Sequence, residues 1–221
     1  MTRLRLHALL LSFAALPLLA GCGGDDKKSE AAFNASDLKG FVMSPSDLPG
    51  GYKLVTEQAS SSAQKCVGGK TSREQAVAAK FEQLGLERCA SRTYRKRVTG
   101  AINKNNTPGS TMILLKNDSD ASKALPELRK ALVASYKPSG TASAGKQDDI
   151  PVSGLGEQSV PGARLTTDLG ALGGDFDLYL YFWRRGNVIA WMGSTDILGD
   201  FDERSTLELA EKLDARMADS G

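Results

Sequence analysis

From Phe176 to Trp183 apolar side chains occupy both parities of the chain. Phe176, Leu178, Leu180 and Phe182 project to one side of an extended strand, and Asp177, Tyr179, Tyr181 and Trp183 to the other. Asn187 to Trp191 reads as a second strand, with Arg185-Gly186-Asn187 at the turn, so the stretch predicts a β-hairpin. A two-residue turn places Ile189 and Trp191 with the first set, and Val188, Ala190 and Met192 with the second. Two apolar sides predict a hairpin that is central in its sheet or covered on both faces.

Weaker patterns surround it. Tyr52-Lys53-Leu54-Val55-Thr56 reads as a first strand behind the turn formers of Pro45 to Gly51. Thr71-Ser72-Arg73-Glu74 has the form of a capping box; Val77, Phe81 and Leu84 follow at helical spacing, and Gly85 suits the helix end. Ser91 to Thr99 predicts a strand with a basic face (Arg92, Arg95, Lys96, Arg97), and Ser110 to Lys116 a buried strand. Ala121, Leu125, Leu128 and Leu132 form one helical stripe, in which Pro126 either kinks the helix or marks its first turn. Pro138 to Val152 has no apolar period and reads as a connection. Gln158 to Thr166 is a strand broken at Pro161-Gly162, and a last helix begins near Asp202, capped by Asp200 or Asp202, with Leu209, Leu213 and Met217 buried. Hairpin-like connections and segregated helices predict a single α+β domain, an antiparallel β-sheet with helices packed on it.

The first apolar run has another meaning. Arg3 and Arg5 precede an apolar centre from Ala8 to Ala20, too short for a spanning helix, which needs about 20 apolar residues. It ends in Leu19-Ala20-Gly21-Cys22, the form of a lipobox, which predicts cleavage before Cys22 and a palmitate-type lipid anchor on that cysteine. The expected organisation is a lipoprotein signal peptide over 1–21, a flexible tether over 22–36 rich in glycine and charge, and one domain over 37–221. The expected location is the extracytoplasmic face of the cell membrane.

Composition narrows the chemistry. The chain has 28 basic and 26 acidic residues; Arg3 and Arg5 leave with the signal peptide, so the remainder is balanced, which argues against nucleic acid as a partner. The one histidine, His7, lies in the signal peptide, which removes Ser-His-Asp and Cys-His catalysis and ordinary zinc sites from the mature chain. No metal, cofactor or catalytic residue is expected. With Cys22 lipidated, Cys66 and Cys89 remain, and an even pair in an exported chain predicts a disulfide.

Apparent motifs dissolve on inspection. Gly68-Gly69-Lys70-Thr71 lacks the first glycine of a phosphate loop, since Gln64 stands there, and Gly154-Leu155-Gly156 lacks the third glycine of a dinucleotide fingerprint, where Ser159 stands. Ser-x-x-Lys occurs at Ser36, Ser62 and Ser143 without companion motifs. The acid pairs Asp148-Asp149 and Asp175/Asp177 have no evident reason to be held at hydrolase separation. The best binding candidates are the aromatic residues Tyr179, Tyr181, Trp183 and Trp191, as a groove wall or partner surface, against the plainer reading of a face that helices cover as core.

The lipobox, Asp47-Leu48-Pro49-Gly50-Gly51-Tyr52, Gly154-Leu155-Gly156-Glu157 and Arg184-Arg185-Gly186-Asn187-Val188 together resemble actinobacterial-type surface lipoproteins. These are similar to the extracellular sensor-like domains of receptor kinases and to Mog1/PsbP-like lipoproteins. The resemblance implies an α/β/α sandwich and a binding or accessory role without a catalytic set. Sensor domains of this kind often carry two disulfides, and only one is possible here. The expected function is a lipid-anchored, non-enzymatic cell-envelope protein that binds an envelope ligand or protein partner. A carrier of lipid in a cavity lined by Leu178, Leu180, Phe182 and Trp191 is the first alternative. A histidine-free hydrolase using Asp175 or Asp177 is the second.

Overall fold

The computed structural model describes residues 32–67, 72–97, 105–136, 146–168, 175–196 and 199–220. The lipobox, Gly68 to Thr71 and most of the tether lie outside them. The hairpin forms as its pattern predicts. Strand β7 (Asp175–Arg185) pairs with β8 (Val188–Asp196), Arg185 stands opposite Val188, and Gly186-Asn187 make a two-residue turn with Gly186 at φ 52°. A turn of this kind favours glycine at its first central position.

The hairpin lies inside an antiparallel sheet. The other strands are β1 (Lys53–Ser60), β2 (Leu86–Arg97), β3 (Asn105–Asn106), β4 (Gly109–Leu115), β5 (Gln147–Ile150) and β6 (Gln158–Asp168). Their spatial order is β1-β2-β4-β8-β7-β6-β5, with β3 paired to β2. Helices cover both faces, which makes the expected three-layer α+β architecture. On one face α1 (Leu38–Phe41) and α5 (Glu203–Ala218) bury Tyr181, Trp183, Ala190, Met192 and Met112. On the other, α3 (Ser72–Gln83) and α4 (Asp118–Ser135) bury Leu180, Phe182, Ile189, Trp191 and Ile113. Each large side chain so covered contributes about 1.5–3 kcal/mol, so both parities of the hairpin hold a helix layer in place.

Four local expectations change. Pro161-Gly162 does not break β6; the pairing with β7 shifts register between Val160 and Ala163, a bulge in a continuous strand. Of the two readings of Pro126, the first turn falls away: it sits exposed inside α4, where the carbonyl it leaves without a partner can meet water. Strand β5 falls in the stretch read as a connection, because it is held by backbone pairing to β6 and its side chains are mostly charged or polar. Strand β2 starts at Leu86 rather than at Ser91, so Cys89 lies inside the sheet. Its disulfide to Cys66 (Cα–Cα 6.2 Å) therefore ties the short helix α2 (Ala63–Val67) to β2. At the last helix, Asp202 is the cap, accepting from the Ser205 N–H at 2.8 Å, while Asp200 takes Lys96 and Tyr52.

The expected tether is too long at its domain end. Phe33 is buried, stacks edge-on against Phe41 at 5.0 Å, and donates its N–H to Asn187 Oδ1 at 2.9 Å. The Asn187 amide in turn donates to the carbonyls of Phe33 and Leu115 at 3.2 and 3.1 Å. One turn side chain thus clips the leading segment to the hairpin end of the sheet. Asn187→Ala should cost about 1–3 kcal/mol, because it strands buried backbone groups. Denaturant unfolding measures that loss, and faster amide exchange over 33–36 should accompany it; unchanged exchange there would mean the clip does not hold the segment.

Candidate functional site

Near the hairpin turn, the face under α3 and α4 is filled by Ile113, Leu115, Ile189 and Phe182. Toward the other end of the strands its side chains shrink. Gly109 of β4 stands directly opposite Gly193 of β8, with Thr93 of β2 beyond Gly109 and Leu180 of β7 beyond Gly193. Glycine inside a central strand weakens it and often marks close approach of another group. Here two lie side by side in neighbouring strands, and the side chains of Leu180 and Thr93 close over them. A Cβ at Gly193 would come to 2.7 Å from Leu180 Cδ2, and one at Gly109 to 3.2 Å from Thr93 Oγ1.

Helices α3 and α4 stand over this floor without filling it. The result is a groove of about 890 Å³, within the range typical of small-molecule sites. Its floor carries Ser91, Thr93, Thr111 and Thr195 beside Leu165, Leu178 and Trp191, and its walls are Glu74 and Val77 of α3 and Leu132 and Tyr136 at the end of α4. Thr195 Oγ1 accepts from the Thr107 N–H at 2.9 Å, which fixes the floor at its outer end. Trp191 stacks on Phe81 with ring centroids 5.5 Å apart and planes 10° from parallel, so the inner wall is a packed aromatic pair.

Of the four aromatic residues singled out in the sequence, only Trp191 lines this groove. Tyr179, Tyr181 and Trp183 face the opposite layer, and the surface they were expected to form is covered by α1 and α5. Tyr181 and Trp183 are wholly buried, and Tyr181 Oη donates to the Glu203 carbonyl at 2.9 Å. Burial pushes the Tyr181 hydroxyl well above its ordinary pKa and, together with the Asp177 charge, that of Tyr179 to about 12. Both tyrosines are core groups whose hydroxyls find partners locally. The lining expected of a carrier divides likewise: Leu178 and Trp191 reach the groove, while Leu180 and Phe182 belong to the core.

At Asp177, desolvation is overcome by Arg164 at 2.6 Å and by Thr166 Oγ1 at 2.6 Å, which hold its carboxyl below the usual range, the reverse of what a general acid needs. The side chain of Asp175 lies outside the described residues. Asp148 pairs with Lys146 at 2.8 Å and Asp149 with Arg129. On the basic strand Arg92 meets Glu57 at 2.6 Å and Lys96 meets Asp200 at 2.8 Å, while Arg95 and Arg97 are exposed. Gly156 is structural. It adopts φ 67°, donates its N–H to Asp214 Oδ2 at 3.0 Å, and lies so close to the Arg184 backbone that any Cβ would collide. Among the described residues, no cluster of three or more His, Cys, Asp or Glu is placed to hold a metal, and no helix is long and apolar enough to cross a membrane.

No family model and no curated protein matches the chain. The extracellular domain of PknH from Mycobacterium tuberculosis is similar in structure, with a TM-score of 0.59 at 10% identity, over 86% of this chain and 99% of that one. At that identity the likeness is one of fold. It places the α+β sheet with its two helix layers among architectures that include an extracellular domain.

Proposed function

We propose that this is a lipid-anchored extracytoplasmic protein whose domain binds a small ligand, without chemistry, in the groove between the sheet and helices α3 and α4. The groove itself carries the reading. Between the sheet and α3 and α4, about 890 Å³ is left open among small hydroxyl side chains and Leu165, Leu178 and Trp191, a size and mix of lining that suits a small ligand. The lipobox at Leu19-Ala20-Gly21-Cys22 supports the anchor, and the fold shared with an extracellular domain fits the same compartment. A histidine-free mature chain, with Asp177 held ionised by Arg164, supports binding over hydrolysis.

One experiment tests both parts. The protein, extracted from membranes of a host that processes lipoproteins, is weighed by mass spectrometry under native and then denaturing conditions. The denatured mass should correspond to a chain beginning at Cys22 with a diacylglyceryl group and one disulfide. The native mass should exceed it by a small molecule that unfolding releases, and Gly193→Val should abolish that excess. A chain that keeps residues 1–21 would sink the anchor, and an excess unaffected by Gly193→Val would sink the groove.

A further inference from the structure

A group of cations that the groove does not absorb collects at one corner of the sheet. Beyond Thr93 of the groove floor, Arg95 and Arg97 follow on the same side of β2, and Lys53 of β1 stands opposite Arg95. All three are exposed, and none has an ion-pair or hydrogen-bond partner among the described residues. The acids nearby are already answered: Glu57 by Arg92, Asp200 by Lys96, and Asp47 by Arg216 and Lys212. Residues 98–104, which join β2 to β3, add Lys104 and no acid. Asp168 and Asp175 belong to β6 and β7, which β4 and β8 separate from β2. A chain whose charges balance beyond the signal peptide thus carries one positive corner.

The same corner is apolar. Leu54 and Val55 are each 48% exposed, and among the described residues no other large aliphatic side chain is so open. Both lie on β1, the edge strand, where Val55 is the extra residue of a bulge against β2. Charge and a bulge guard an edge against pairing with another strand, but two open aliphatic side chains there work against that protection. An anionic bilayer offers negative charge and hydrocarbon together, and so answers the whole set.

The anchor brings that surface within reach. Phe33 is clipped to Asn187, which also donates to the Leu115 carbonyl, and Leu115 pairs with Leu86 at the start of β2. Arg95 lies about 30 Å farther along that strand. The segment from Cys22 to Phe33 spans at most about 40 Å when fully extended.

From this corner we infer that the domain makes a second contact with the bilayer that holds its anchor. Lys53, Arg95 and Arg97 meet anionic headgroups, and Leu54 and Val55 enter between them. The inference rests on the lipid anchor of the proposed function and is independent of the groove.

The mature, lipidated chain is reconstituted in vesicles of pure phosphatidylcholine, or of phosphatidylcholine with roughly 30% phosphatidylglycerol to supply the negative surface. Both contain a phosphatidylcholine with a diazirine close to its glycerol, so the reporter itself is the same. In the anionic vesicles it should label peptides within 50–57 and 93–97, and in pure phosphatidylcholine at least about tenfold less. Arg95→Gln combined with Arg97→Gln should lower the yield about tenfold or more. Leu54→Ser combined with Val55→Ser should lower it about tenfold. Hydrogen exchange over α5 checks that both variants remain folded.

Equal labelling in the two kinds of vesicle overturns the charge contact. Labelling that either folded variant leaves unchanged overturns the role of those side chains, and labelling spread evenly over α4 and α5 overturns the corner. Co-sedimentation reads the anchor separately. A chain held by both vesicles without labelling at the corner overturns the second contact and leaves the anchor standing; a chain held by neither overturns both.

Discussion

Replacing both Cys66 and Cys89 with serine should lower the unfolding free energy by about 3 kcal/mol, the scale for a bridge closing a loop of this length. The bridge spans 23 positions of sequence and joins α2 to β2, and α3 lies between its two cysteines. Cys66 and Ser72, Glu74 and Val77 of α3 all line the groove. Loss of the bridge should therefore act twice, through a freer unfolded chain and through a looser groove wall. Denaturant unfolding of the double variant measures the first effect. Hydrogen exchange over 63–67 and 72–83, compared with α5 on the far face, reads the second. A stability loss shared evenly between α3 and α5 would show that the bridge does not brace the groove in particular.

Asp47→Asn should cost about 2–3 kcal/mol, the scale of a set of hydrogen bonds to a charged group. The carboxylate is 1% exposed. It receives Arg216 Nη2 on both oxygens at 2.8 and 2.9 Å, Lys212 Nζ at 3.1 Å and the Ser44 N–H at 2.7 Å. These contacts bind the turn of Pro45–Asp47 to α5. Both cations keep some solvent, so the variant does not strand a bare buried charge, and the loss should stay below that of a wholly buried pair. Desolvation alone would raise the Asp47 pKa, but the hydrogen bonds from Arg216, Ser44 and Lys212 bring it from 3.8 to about 2. Because the folded-state value is the lower one, the stabilisation is present above the unfolded-state value of 3.8 and is lost as the pH falls toward 2. Unfolding free energies across that interval should decline less in the Asp47→Asn variant than in the parent. Parallel declines would show that other carboxylates carry the acid limb.

Much of the fold is legible along the chain, and for a physical reason. The hairpin register follows from the two-residue turn and strict alternation, so the partition of Tyr179, Tyr181 and Trp183 from Leu178, Leu180 and Phe182 needs no tertiary knowledge. The stripe of α4, the Asp202 cap and the Cys66–Cys89 pair are local or nearly local features, and each appears in the structure. Strand β5 is not legible because its reason to be extended lies in β6, not in its own side chains. The end of the tether escapes local reading for the same kind of reason. Phe33 is an ordinary residue in a polar stretch until Asn187, 154 positions away, receives its N–H.

The site divides along the same line. Composition and neighbours along the chain suffice to place the one histidine at position 7, the lipobox at Cys22, an even pair of cysteines beyond it and a hairpin apolar on both sides. They do not say which apolar side lies under α1 and α5 and which holds an opening. The assembled sheet answers that: it lays one side under α1 and α5 and leaves the groove on the side under α3 and α4. A groove is made of what strands leave empty next to one another, and cross-strand adjacency is fixed by the order of the sheet rather than by any local pattern.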